Sequence, residues 1–440
     1  MQHITIKNFG PLADVDIDLP DVILLIGAQA SGKSTLAKLV FYFRSLRNDL
    51  IEILNGDALL DISYTAICTQ YTDKFFDFFD SNSSHNQEFH VRFEYTDKTI
   101  FILKKTSKFN KTYTIEFSNQ KHLATIIDDI NFYKKEFLTT KQNTALMNIV
   151  ELQDLQHQKR IVKVSIIENI NTFFGNDHEP LYIPASRSTL AILPDIITAS
   201  NGFQNTDELF KLFLQRINIL RPAFNQSLNE LVTSKQARMN GNANQRALDF
   251  AKQAIPIIEK NIIKGRYEHS NFTDFIVLND NNRVKFKFAS SGQQEATWIT
   301  LQLFVSILNA DKTFTVIEEP EAHLYPIAQL EMIKIIALLS NVLTGADANQ
   351  VMITTHSPYI LTALNLLLYA HKVGQQQPEK VDKMVAKEFW LDKNRVAAYE
   401  VKGGKLENII DTDLLHADRI DTASDKINAI FDKLLNMDEL

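Results

Sequence analysis

The nine residues GAQASGKST, Gly27 to Thr35, constrain this chain more than any other stretch in it. They stand between an apolar run, DVILLI, and a segment with apolar residues at helical spacing, STLAKLVFYFRSLRNDL. The pattern G-x-x-x-x-G-K-[ST] in a strand–loop–helix setting turns successive backbone N–H groups toward a phosphate at a helix N-terminus. On this reading Gly27, Ala28, Gln29, Ala30, Ser31, Gly32 and Thr35 shape a phosphate cradle. Lys33 reaches the β- and γ-phosphates, and the Ser34 hydroxyl binds Mg²⁺. A chance Gly/Ser turn is the alternative, and the flanking strand and helix argue against it.

Three further stretches fit the same chemistry. TVIEEPEAHLYP, Thr315 to Pro326, ends an apolar strand in two adjacent carboxylates, Glu318 and Glu319. Neighbouring like charges resist desolvation, so the pair needs a cation or a proton to handle. In nucleotide hydrolases such a strand end holds Mg²⁺ and orients the attacking water. Glu318 is then expected to serve the metal, through its water, and Glu319 to act as general base. VMITTHSPYIL places His356 at another strand end, where it can donate to a γ-phosphate; taken alone, a structural histidine explains it as well. ASSGQQEATW sets Ser290, Ser291, Gly292 and Gln293 at the start of a helix, which exposes N–H groups to an anion. An ordinary N-cap would look the same.

The totals narrow the partners. With 440 residues the chain has room for two or three structural units. Its net charge of −7 gives no global nucleic-acid signature, so any such contact must be local. Cys68 is the one cysteine, which excludes an intrachain disulfide and a cysteine-rich zinc site and suits a reducing cytosol. No apolar run approaches the roughly 18 residues that span a membrane. The expected location is cytoplasmic, without membrane contact.

Along the chain, HITIKNF, ADVDIDL and DVILLIG read as strands, and Gly10-Pro11 marks the first turn. HVRFEY, TIFILKK and TYTIEF read as an antiparallel meander. Residues from about 205 to 267 read as helical and basic on balance, with MNGNANQ as the tip of a helical hairpin. FTVIEEP and VMITTHSP are buried strands, and the chain closes on an acidic helix, ASDKINAIFDKLLNMDEL.

In this order the four motifs resemble the ATP-binding-cassette ATPases of the SMC, Rad50, RecF and OLD group. GAQASGKS looks like the Walker A loop, ASSGQ like the signature, TVIEEPEAHLYP like Walker B with its following loop, and TTHSP like the switch histidine. The resemblance covers roughly residues 1–60 and 285–365 well, and the middle only in layout. It implies an α/β fold, an ABC-ATPase head: a P-loop core with a mixed or parallel sheet, an antiparallel β subdomain and a helical hairpin insertion. The expected segments are an N-terminal ATPase lobe, 1–190; a basic helical insertion, 191–270; a C-terminal ATPase lobe, 271–370; and a C-terminal extension, 371–440, that binds a partner. The resemblance also implies ATP and Mg²⁺ as cofactors. It implies a head-to-tail homodimer, or a higher oligomer of such pairs, with each nucleotide between Lys33 of one chain and Ser290–Gly292 of the other. Arg187 in YIPASRS matches an arginine of OLD-like relatives, which gives it a phosphate-contacting or interface role; a structural salt bridge is the alternative. Two departures stand out. Glu318 replaces a common Asp, and Gln29-Ala30 replaces the Asn-Gly of Rad50-like loops.

OLD nucleases carry a Toprim domain that this sequence does not reproduce. Glu400, Asp411 and Asp413 lie too close together for it, and a solvated acidic surface accounts for them. The chain therefore resembles stand-alone ATPase subunits of bacterial anti-phage systems, which pair with a separately encoded nuclease. The Septu PtuA type, whose nuclease is of the HNH kind, is the nearest in kind; the PARIS and retron-associated ATPases are close to it. A RecF- or Rad50-like repair ATPase that binds DNA through the basic helices is the alternative, and a self-contained nuclease a lesser one.

Overall fold

A computed structural model describes residues 1–56, 61–79, 88–105, 113–138, 149–185, 187–191, 207–238, 244–279, 282–411 and 414–415. The MNGNANQ tip (in large part), Asp413 and the acidic C-terminal helix lie outside these residues. The chain divides into two compact units. The first comprises Met1–Leu19, Ser34–Pro180 and Gly403–Lys405, and the second comprises Pro20–Lys33, Leu181–Lys402 and Leu406–Leu440.

The first unit is built on antiparallel strands. β1 (Gln2–Phe9) pairs with β2 (Leu12–Leu19) on one side and with β4 (Phe89–Glu94) on the other. β5 (Ile100–Lys105) and β6 (Tyr113–Phe117) extend the meander, in the spatial order β6-β5-β4-β1-β2. The period-two text is realised directly: Ile4, Ile6, Val91 and Phe93 point to a buried face while Thr5 and Arg92 do not. α1 (Lys33–Asn55), α2 (Tyr64–Phe78), α3 (Gln120–Leu138) and α4 (Ile149–Phe174) complete the unit. Its core is aromatic. Phe43 stacks on Phe93 with ring centroids 4.7 Å apart, and the buried Tyr42 and Tyr95 hydroxyls donate to the Tyr71 and Phe43 carbonyls at 2.8 and 2.7 Å. Each ring thus buries apolar area without orphaning its hydroxyl.

The second unit holds a parallel sheet. β3 (Val22–Ile26) lies between β12 (Gln350–Thr355) and β13 (Val396–Lys402). β11 (Thr313–Glu318) follows β12, and β7 (Glu179–Ile183) follows β11. The β13–β3, β3–β12 and β12–β11 pairs are all parallel. VILLI and TFTVIE are buried at every position, as strands covered on both faces must be. The covering helices are α5 (Glu208–Leu220), α6 (Leu228–Arg238), α7 (Gln245–Pro256), α8 (Ser291–Asn309), α9 (Pro326–Val342) and α10 (Pro358–Gly374). Phe213, Ile217, Phe250, Trp298, Phe304, Ile317 and Ile353 belong to one apolar core, so the 207–262 helices share it with the sheet. A π-helical turn, Ile257–Ile262, leads from α7 into a small antiparallel sheet. That sheet comprises β8 (Arg266–Ser270), β9 (Thr273–Asn279) and β10 (Asn282–Lys285). The molecule is a mixed α/β structure with a large sheet and helical insertions, which is the expected class.

Candidate functional site

Parallel pairing brings the motifs together. Glu318 is in register with Thr354, Thr354 with Leu25, and Thr355 with Ile26. The residues after these strand ends, Glu319, His356 and Gly27, therefore emerge side by side at the carboxyl edge, where open α/β sheets bind ligands.

The loop from Gly27 is shaped by close approach. Gly27 has φ +153°, and a Cβ there would lie 2.5 Å from the Val401 carbonyl oxygen of β13, so a side chain has no room. Ala30 adopts φ +60°, an unfavourable conformation for a residue with a Cβ. Ala28, Gln29, Ala30 and Ser34 are exposed, Gly32 and Lys33 buried, and Ser31 and Thr35 half-buried. The buried Ser31 Oγ has no hydrogen-bond partner among the described residues.

Lys33 Nζ donates to the carbonyls of Gly27 and Ala28 at 2.8 and 2.9 Å and lies 3.3 Å from His356 Nδ1. Burial lowers its pKa, and the charges of Glu319, Glu321 and Glu318 oppose that shift. His356 sits between two acceptors, with Nδ1 3.0 Å from the Gly27 carbonyl and Nε2 3.0 Å from Glu319 Oε1. The Nε2 proton donates to Glu319, and Nδ1 faces both the Gly27 carbonyl and Lys33 Nζ. Lys33, His356 and Glu319 thus form one connected chain of polar atoms.

The two carboxylates part ways. Glu318 is 6% exposed; its Oε2 accepts from the Ala185 N–H at 3.2 Å, while its Oε1 is buried without a hydrogen bond of acceptable geometry. The Tyr182 phenol nearby has its pKa raised well above the usual value, first by burial and then by the Glu318 charge. Glu319 is half-exposed, has φ +44°, and its N–H donates to the Thr354 carbonyl at 2.9 Å. A buried carboxylate held by a single well-formed hydrogen bond, from the Ala185 N–H, suits a divalent cation. Among the described residues no cluster of three His, Cys, Asp or Glu ligands forms. Mg²⁺ with a triphosphate does not need one, since phosphates, water and a hydroxyl complete its shell.

Arg187 corrects an expectation. It is fully buried, so the phosphate or interface contact inferred from resemblance does not fit. Nη1 donates to the carbonyls of Pro184 and Glu318 at 2.6 and 2.7 Å, and Nη2 to the Glu319 carbonyl at 2.9 Å. Nε lies 3.2 Å from both the carbonyl oxygen and Oε2 of Glu295. The carboxylate of Glu295 in turn accepts the N–H groups of Arg187 and Ser188. Arg187 is thus a clasp that ties the backbone of both site carboxylates to helix α8, and the salt-bridge alternative describes it.

At the start of α8, Ser290 caps the helix and forms a reciprocal capping box with Gln293. Ser290 and Ser291 are exposed. A Cβ on Gly292 would meet the His323 carbonyl at 2.7 Å. Among the described residues no hydrogen bond or ion pair joins Ser290–Gln293 to the Gly27–Lys33 loop. This chain does not assemble the two segments on each other.

Two functional neighbours escaped the sequence reading. Glu321 Oε1 accepts from the Thr355 hydroxyl at 2.7 Å and the His356 N–H at 2.8 Å, and Gln329 accepts from the Ser357 hydroxyl at 2.6 Å. The third acid of EEPEAHL was the available signal for Glu321.

A family model described as an AAA ATPase domain matches residues 1–361. No curated protein matches the chain. Among solved structures, the Smc head domain with an extended coiled coil bound to the C-terminal domain of ScpA, from Pyrococcus furiosus, is similar at 14% identity. The match covers 97% of this chain and 100% of that one with a TM-score of 0.36. The recombination mediator protein RecF of the RecFOR pathway is similar at 10% identity over 93% of this chain and 97% of that one, with a TM-score of 0.28.

Proposed function

Because this chain belongs to the AAA ATPase domain family, we propose that it binds ATP with Mg²⁺ and hydrolyses it to ADP and phosphate. The observation that carries this reading is the chain Lys33–His356–Glu319 at the carboxyl edge of a parallel sheet. The Gly27–Thr35 loop cradles the phosphates, and Lys33 exchanges the Gly27 and Ala28 carbonyls for phosphate oxygens. The Ser34 hydroxyl and Glu318 hold Mg²⁺, which when bound neutralises charge on the phosphates. Glu319 takes the proton of the attacking water. His356, hydrogen-bonded to Glu319, holds that carboxylate in place and lies where it can sense the γ-phosphate.

The signature residues Ser290, Ser291, Gly292 and Gln293 act on the nucleotide of a second copy, so that two chains pair around ATP. The exposed Ser290 and Ser291, unattached to their own chain's loop, support this. We further read the paired state as the signal to a separately encoded nuclease, of HNH type, in anti-phage defence. That step rests on the resemblance to stand-alone defence ATPases. The repair-ATPase alternative drew on the basic helices. Several of their cations are engaged at home: Arg216 donates to Gln302, Lys235 to Asn309 and Arg246 to the Asn341 carbonyl, while Arg221 pairs with Asp274.

The test is Glu319→Gln beside Lys33→Ala. Glu319→Gln is expected to retain ATP and lose at least about 100-fold in hydrolysis, with the dimer accumulating by mass measurement. Lys33→Ala is expected to weaken binding by about 10- to 150-fold, the range for hydrogen bonds to charged groups. Hydrolysis by Glu319→Gln at the parental rate would show that another group is the base.

A further inference from the structure

The small β8–β9–β10 sheet has a face and an end that the nucleotide chemistry does not use. Tyr267 and Ile276 point into the core, so their cross-strand neighbours Arg266, Val277 and Arg283, and then Glu268, Phe275 and Lys285, form the outer face. The Arg283 guanidinium lies over the Phe275 ring, 4.4 Å from its centroid, with its side chain 58% exposed. Among the described residues of this face, one acid stands with these cations: Glu268, which pairs with Arg266 at 3.2 Å and Arg283 at 3.8 Å. Lys285 and Lys287 are exposed beyond them.

Two exposed rings lie beyond the strands, one in the β8–β9 turn and one just past β10. The β8–β9 turn is Asn271-Phe272, with φ +49° and +58°, a two-residue hairpin turn in which the second position ordinarily favours glycine. A phenylalanine there is strained, and it is 98% exposed, so neither conformation nor burial accounts for it. β10 runs back toward this turn, with Lys285 opposite Phe275, and the chain continues to Phe288, which is 71% exposed.

We infer that this face and end bind a single-stranded polynucleotide, with Phe272 and Phe288 stacking on bases and Arg283, Lys285 and Lys287 meeting phosphates. The excess of cations selects a polyanion, and exposed rings select one whose base faces are accessible, which a duplex does not offer. The inner side of the sheet packs on the 207–262 segment, where Phe224 meets Tyr267 and Arg221 pairs with Asp274. The surface is also tied to the signature. Gln294 Nε2 donates to the carbonyls of Phe286, Lys287 and Ala289 at 3.1, 3.1 and 3.2 Å, which fixes the segment on the first turn of α8.

The experiment is fluorescence anisotropy of the full chain with labelled oligo-dT, oligo-U and a matching duplex, each of about 20 nucleotides, a length that spans an ordinary single-strand site. Single strands are expected to bind more tightly than the duplex, with a slope of log affinity against log salt of about −2 for three phosphates. Phe272→Asn should weaken binding by about 5- to 150-fold. It should not lower the melting temperature, because asparagine suits the turn. Lys285→Glu with Lys287→Glu should flatten the salt slope, whereas charge reversal at Lys252, Lys260 and Lys264 should change neither. Preference between oligo-dT and oligo-U identifies the sugar, and either supports the surface. Equal affinity for the duplex, an unaltered Phe272→Asn, or a loss that follows Lys252, Lys260 and Lys264 overturns it. So does a loss, in the same variants, of binding to phosphatidylserine vesicles but not to oligonucleotide.

Discussion

Removing the Arg187 side chain separates two readings of that residue. Arg187→Ala strips hydrogen bonds from the carbonyls of Pro184, Glu318 and Glu319 and leaves the Glu295 carboxylate buried without its cation. Breaking one side of a buried ion pair costs about 3–5 kcal/mol. The two tryptophans, Trp298 and Trp390, both lie in the second unit with Arg187, so their fluorescence reports its unfolding in urea. For an m-value of about 3 kcal/mol/M the midpoint should fall by about 1–2 M. Arg187→Lys should not rescue it, because an ammonium cannot reproduce a planar fork of donors to four acceptors. In a Glu295→Ala background the loss should shrink, since the uncompensated charge is gone. A midpoint that stays put while nucleotide affinity drops tenfold would refute the clasp and restore a phosphate contact.

Other expectations concern different places. Burial raises the Asp49 pKa to about 6 against the opposing pull of Lys74. A raised carboxyl pKa means stability present below the unfolded value near 3.8 and lost as pH climbs through about 6. Relative to Asp49→Asn, the parent should therefore lose up to about 3 kcal/mol between pH 4 and pH 8, read as the difference in thermal unfolding; a constant difference across that range would contradict it. Gly292→Ala would bring a Cβ to 2.7 Å from the His323 carbonyl. Hydrolysis in that variant should fall several-fold while ATP affinity, measured by filter binding, holds.

Where a strand end and its loop are contiguous, the sequence was readable. GAQASGKST, VIEEP and TTHSP each state a strand end and its loop within about ten residues, and parallel pairing does the rest. The meander over β4, β5 and β6 was equally plain, because one buried face imposes period two. Arg187 was not readable: apart from the Pro184 carbonyl its partners are Glu295, Glu318 and Glu319, more than a hundred positions away, and nothing local separates a buried guanidinium from one that meets phosphate. In the helices from 207 to 262 the sequence likewise does not separate a paired cation from an unpaired one. Their cations look like a stripe in one dimension, yet Arg216, Arg221, Lys235 and Arg246 each find a partner within the second unit. Glu321 was hidden by its own neighbours, being one acid among three in a short motif.

The contact of Gly292 with the His323 carbonyl carries a consequence for kinetics. The same short loop begins at Glu319 and is anchored by Glu321 to His356. On the proposed pairing, a shift at one chain's own phosphate end would pass, over a few bonded residues, to the helix tip that it would lend to its neighbour. Two such chains clasping nucleotide would not fire independently: occupancy on one side would set the pace on the other, and their output would rise more steeply than the ATP that feeds it.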